Sequence, residues 1–169
     1  FLELAFSNPG VGGANLQVLS SSDGDFQVYN SATSAYTTFY GEGFSEDPLS
    51  NPTGTIYSVD FFVSDHREAT VSNINWSAAG FLSAIAAFYD DGNDAPLLAL
   101  LSLQDIIFDS SASADGALGF DFSQVTSNVT FIGSAFGDDL TGGFGNDTII
   151  TGGAKQGQED RYFVSGGSD

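Results

Sequence analysis

The chain has 169 residues, of which 22 are acidic and 3 basic, giving a formal charge of −19, and it contains neither cysteine nor methionine. Phosphate backbones and anionic lipids are bound through lysine and arginine; with only Arg67, Lys155 and Arg161 present, nucleic acid is excluded as a partner. The lack of cysteine excludes a disulfide framework, thiolate catalysis and cysteine-ligated zinc or iron–sulfur sites.

With 41% hydrophobic residues and 16 phenylalanines, a folded core is expected rather than disorder. No run of apolar residues approaches the length of a membrane span, so no membrane insertion is predicted. A translated chain begins with methionine and this one begins with Phe1, so it is read as part of a longer product.

From Ala14 to about Asn73 short runs rich in valine, threonine and aromatics are separated by turn residues, which predicts antiparallel strands. They fall at Asn15 to Leu19, Phe26 to Tyr29, Tyr36 to Tyr40 and Thr55 to Val63. From Ser77 to Tyr89 the apolar residues Ala78, Phe81, Leu82, Ile85, Ala86 and Phe88 recur at helical spacing, with Asn75 or Ser77 placed as the cap. A second helix is predicted over Ala95 to Leu103, with Asp94 as N-cap and Pro96 in the first turn, where its missing N–H does no harm. Strand texture returns at Ile106 to Phe108, Leu118 to Phe122 and Val129 to Ile132.

A glycine-rich tail follows. Gly142 to Ile150 reads Gly-Gly-Phe-Gly-Asn-Asp-Thr-Ile-Ile, a full match to the calcium-binding nonapeptide Gly-Gly-x-Gly-x-Asp-x-U-x, where U is a large apolar residue. Gly142, Gly143 and Gly145 permit the backbone angles that turn carbonyl oxygens towards one point, and Asp147 adds a hard anionic oxygen. The preceding nine residues form a degenerate copy: Gly133 opens it, Asp138 holds the carboxylate position and Leu140 the apolar one. A third, looser copy runs from Gly152 and Gly153 through Gly157 to Asp160 and Tyr162, with about three inserted residues around Lys155.

This tail resembles the RTX proteins, secreted bacterial proteins whose nonapeptides wind into a parallel β-roll. The resemblance covers roughly Gly133 to Asp169. It implies that two nonapeptides make one coil, that calcium sits between loops on the same edge, that Asp138 faces Asp160 or Glu159, and that Asp147 needs a later loop. The implied metal-site residues are Gly133, Asp138, Gly142, Gly143, Gly145, Asp147, Gly153, Gly157 and Asp160. The stretch before the tail is similar to amino-terminal regions that precede such repeats and implies no activity.

The other charged clusters carry weaker readings. Asp90 to Asp94 lacks the glutamate that an EF-hand places six residues after its glycine and reads as an acidic loop whose Asp94 caps a helix. His66, the single histidine, lies in the charged stretch Asp65 to Glu68 and reads as an exposed turn residue, since with no second histidine and no cysteine a three-ligand catalytic zinc is not expected. Trp76 and the other aromatics read as core. No catalytic motif is present, and no enzymatic activity is expected.

The expected fold is α+β: an antiparallel β-rich amino-terminal domain with two short helices over residues 1–132, followed by a short parallel β-roll of RTX type over residues 133–169. The expected function is an extracellular or cell-surface calcium-binding structural protein, exported by a type I system and self-associating as a layer, matrix or filament. The alternative is a non-catalytic calcium-binding module of a larger secreted RTX enzyme or toxin.

Overall fold

Apolar and polar residues alternate along the first strands, and pairing them in register sorts the side chains onto two faces of one sheet. The structure, a computed structural model, describes residues 16–114, 119–153, 158–164, 166 and 167. Strands β1 (Leu16–Ser21), β2 (Asp25–Asn30), β3 (Ala35–Glu42), β4 (Thr55–Val63) and β5 (His66–Ser77) form an antiparallel meander. Helices α1 (Ala78–Asp91) and α2 (Ala95–Leu101) follow, then β6 (Ile106–Asp109), β7 (Gly119–Asp121), β8 (Val129–Ile132), β9 (Asp139–Thr141), β10 (Thr148–Ile150) and β11 (Arg161–Phe163).

Strand β6 joins the meander by pairing antiparallel with β5, and β8 and β10 then add in parallel, which makes one eight-stranded mixed sheet in the order β1-β2-β3-β4-β5-β6-β8-β10. The alternate strands β7, β9 and β11 form a second, three-stranded parallel sheet, in the order β11-β9-β7. The expected α+β arrangement, an antiparallel domain followed by a separate parallel roll, is therefore corrected: the protein is mostly β, and its large sheet is mixed. The physical reason lies at β6, which offers one edge to β5 and the other to β8, so that the parallel strands extend the meander instead of starting a new sheet.

Cross-strand register aligns Phe26, Phe39, Val59, Val71, Phe108, Phe131 and Ile149 as one apolar row over seven strands. The neighbouring row begins Gln27, Thr38, Asp60, Thr70 and Asp109 and points to the opposite face. There Gln27 Nε2 donates to Thr38 Oγ1 at 3.0 Å and Thr70 Oγ1 to Asp60 Oδ1 at 2.5 Å. The apolar face is covered by α1, through Phe81 stacked on Trp76 and edge-on to Phe39, and by β7, whose Phe120 lies 4.0 Å from the Phe108 ring centroid.

Ser77 caps α1 by accepting the Gly80 N–H at 3.0 Å, and Gly92 ends it in the left-handed conformation, φ 64°. Asp94 occupies the N-cap of α2, but its side chain accepts no helix N–H; Asn93 Oδ1 accepts the Ala95 N–H instead. The helix stops at Leu101, two residues short of the expected end.

The longest strand, β5, was hidden by its charge. Ser64 and Asp65 both take positive φ, forming a two-residue hairpin turn that sends His66 to Glu68 into the strand. His66 is exposed as expected, whereas Glu68 is buried and accepts the Ser113 hydroxyl at 2.5 Å.

Candidate functional site

Because consecutive strands from β6 onwards alternate between the two sheets, their connecting loops stack on two edges. One edge carries the loop at 133–138 and the described residues 151–153 and 158–160; the other carries 122–128, 142–147 and the glycines 166 and 167. The nonapeptide spacing therefore brings Asp138 and Asp160 to one edge and places Asp147 on the other.

The first two copies have the same local geometry. Asp138 Oδ2 accepts the Ser134 N–H at 2.7 Å, and Asp147 Oδ2 accepts the Gly143 N–H at 2.7 Å, four residues back in each case. Gly133 and Gly142 make room for these carboxylates: a Cβ at Gly133 would stand 2.8 Å from Asp138 Oδ2, and one at Gly142 would overlap Asp147 Oδ2. Both aspartates are buried.

A second bond ties each loop to the coil before it. Asp147 Oδ1 accepts the Val129 N–H at 2.9 Å across 18 residues, and Asp160 Oδ1 accepts the Asp138 N–H at 3.0 Å across 22. The difference, 22 − 18 = 4, is the length of the insertion in the third copy, one more than the spacing suggested. Asp138 also accepts the Ser134 hydroxyl at 2.9 Å.

The remaining predicted residues are backbone positions. At Gly143 and Gly145 a Cβ would overlap the carbonyl oxygens of Val125 and Ser127 in the loop below, so these glycines serve close loop stacking. Gly153 has φ 81°, and among the described residues nothing crowds it. Gly157 lies outside the described residues.

Beside the Asp138–Asp160 contact opens a cleft of about 510 Å³, lined by Gly137, Asp138, Asp139, Gln158, Glu159 and Arg161. Asp139, Gln158 and Arg161 were not named as site residues from the sequence. The signal for Asp139 was its place next to Leu140, since inward Leu140 forces Asp139 outward on a three-residue strand.

Carboxylate, carbonyl and hydroxyl oxygens make a donor set of the hard kind that calcium takes, in groups of six to eight. Among the described residues no group of three or more His, Asp or Glu side chains converges for a metal. The carboxylate oxygens of Asp138 and Asp147 already accept N–H or O–H groups, but each carboxylate has about four acceptor positions, so these bonds do not exhaust them. The donor chemistry is of the kind calcium takes; Asp138 and Asp160 would hold such an ion together with loop carbonyls and hydroxyls rather than through a cluster of three carboxylates.

Tyr162, on β11, has a buried hydroxyl with no hydrogen-bond partner of normal geometry among the described residues. Burial, and then the Asp160 and Asp138 carboxylates, push its ionisation well above the usual tyrosine range. A raised value means that the folded chain keeps a proton which the unfolded chain releases near pH 10, so stability is full below that pH and falls as pH rises above it. Tyr162→Phe is expected to lose less stability than the wild type between pH 9 and pH 11, as read from melting temperatures; parallel curves would show that this hydroxyl is not responsible.

Comparison with protein-family models, with curated proteins and with solved structures gave no match to this chain.

Proposed function

We propose that the chain is an extracellular, calcium-stabilised structural protein whose copies associate once calcium has reduced their charge. The observation that carries this reading is a pair of repeated aspartate bonds, to the N–H four residues back at Asp138 and Asp147 and to an N–H of the preceding coil at Asp147 and Asp160, in a chain of net charge −19. Three buried or half-buried carboxylates held close to backbone amides raise the local negative potential of the loops. A divalent cation bound between Asp138 and Asp160 would supply opposite charge and join successive coils.

Self-association is supported by the outermost described strands of the two sheets at this end, β10 and β11. They carry exposed Ile150 and Phe163, with exposed Val164 directly after β11, and no described strand pairs with their outer edges, the chemistry of strand addition. Two copies at −19 repel each other, so pairing of these edges requires the cation first.

Calcium titration of the chelated protein by calorimetry is expected to show saturable binding in the extracellular range, with Kd around 10⁻⁴ to 10⁻³ M. At calcium a hundredfold above Kd the fold gains about 2.7 kcal/mol, so the melting temperature rises, and light scattering detects assembly in calcium but not in EGTA. Identical melting and scattering in 10 mM calcium and in EGTA would overturn the proposal.

A further inference from the structure

Where the helical layer meets the three-stranded sheet, the described residues leave the apolar face of the large sheet partly uncovered. The gap is a cavity of about 390 Å³. Val71 and Phe108, from the long apolar row, form its floor. Trp76 and Leu97 wall it on the helical side, and Phe120 and Phe122 on the side of the small sheet. Protein interiors seldom hold voids larger than a water molecule, because unfilled space forfeits dispersion contacts on every lining side chain. Water gains little here: the indole N–H of Trp76 is committed to the Leu100 carbonyl at 3.1 Å, leaving the body of the cavity apolar. Its size and lining fall within the range of small-molecule sites.

The mouth has a different character. Asp94 and Asp121 stand there, both exposed. The Asp94 carboxylate makes no capping bond to α2. Asp121 Oδ1 accepts the Ser123 N–H at 2.9 Å. The Ser123 hydroxyl and N–H hold this carboxyl below its usual range, so it is charged at neutral pH. Apolar walls under two carboxylates select a molecule with an apolar body and a positively charged head, and they disfavour a fatty acid, whose head would face like charges.

We infer that this cavity is a binding site for a small amphiphilic amine, with its alkyl or aryl body against Trp76, Phe108 and Phe120 and its ammonium between Asp94 and Asp121. Its lining shares no residue with the cleft beside Asp138 and Asp160.

The test uses the full chain at pH 7 and octylamine below its micellar concentration, with octanoate, octanol and ethylamine as comparators. Trp76 is the only tryptophan, so its fluorescence reports from the cavity wall, and calorimetry gives the affinity. Octylamine is expected to bind saturably, at least tenfold more tightly than octanoate, and ethylamine to leave the fluorescence unchanged. Asp121→Asn, at an exposed position, is expected to weaken octylamine severalfold and leave octanol unchanged. Leu101→Phe, which narrows the cavity, is expected to weaken octylamine and octanol together while the melting curve shows a folded protein. Equal binding of octylamine and octanoate, a response to ethylamine, full octylamine affinity in folded Leu101→Phe, or no binding would each overturn the inference.

Discussion

Gly145→Ala is expected to lower the melting temperature by about 6–12 °C, the shift for a loss of about 3 kcal/mol in a chain of this length. The added methyl would overlap the Ser127 carbonyl oxygen and lie 2.7 Å from the Asn128 nitrogen, both backbone atoms of the loop one coil away. A flexible side chain could swing aside, but this backbone is fixed by its own pairing: the Ile106 N–H is bonded to the Asn128 carbonyl at 3.1 Å, and the Ser127 hydroxyl donates to the Leu101 carbonyl at 2.8 Å. Relief therefore requires the loop stack to open. Gly153→Ala is the matched comparison, because Gly153 has positive φ but no described residue crowds it, and the cost there is backbone strain of about 1 kcal/mol. Thermal melts of both variants separate the two causes, and equal losses would show that loop stacking is not what requires glycine at 145.

Asp147→Ala is expected to cost about 4 kcal/mol. It strands the Gly143 and Val129 N–H groups, which point at a buried carboxylate, and each unsatisfied buried donor costs about 1–3 kcal/mol. Asp139→Asn removes a carboxylate from the same coils at an exposed position and should change stability by less than about 0.5 kcal/mol. Chemical denaturation in EGTA makes this comparison free of metal: a large loss for Asp147→Ala there shows that the carboxylate holds the loops directly. A loss confined to calcium-containing buffer would show instead that the ion carries the whole effect.

The sequence made the individual elements readable wherever a single period ruled. Phe81, Ile85 and their neighbours announced α1, and Val129 to Ile132 announced β8 at its observed bounds. It concealed β5, because Asp65 to Glu68 look like a solvated turn, and nothing local tells that Glu68 will meet Ser113 forty-five residues away. It concealed the mixed sheet for a similar reason: whether β6 pairs with β5, β8 or both depends on distant edges, not on the four residues of β6.

For the candidate site, the resemblance to RTX repeats implied that Asp138 faces Asp160 or Glu159, and the structure bonds the Asp138 N–H to Asp160, while the glycine pattern marked where loops approach closely. The inter-coil bonds from Val129 to Asp147 and from Asp138 to Asp160 were invisible, since they depend on coil pitch. The aromatic cavity was equally hidden, being walled by side chains from several separate elements that all looked like ordinary core.

The junction between β5 and β6 consists of three residue pairs, Thr70, Ser72 and Val71 facing Asp109, Ile107 and Phe108. Side chains on a strand alternate with a period of two, so these pairs fix which of Ile107 and Phe108 turns inward. Every parallel strand added afterwards inherits that phase, from Phe108 to Phe131 to Ile149. A slip of one residue at this short seam would turn the whole downstream series inside out, presenting its phenylalanines to water and its threonines to the interior.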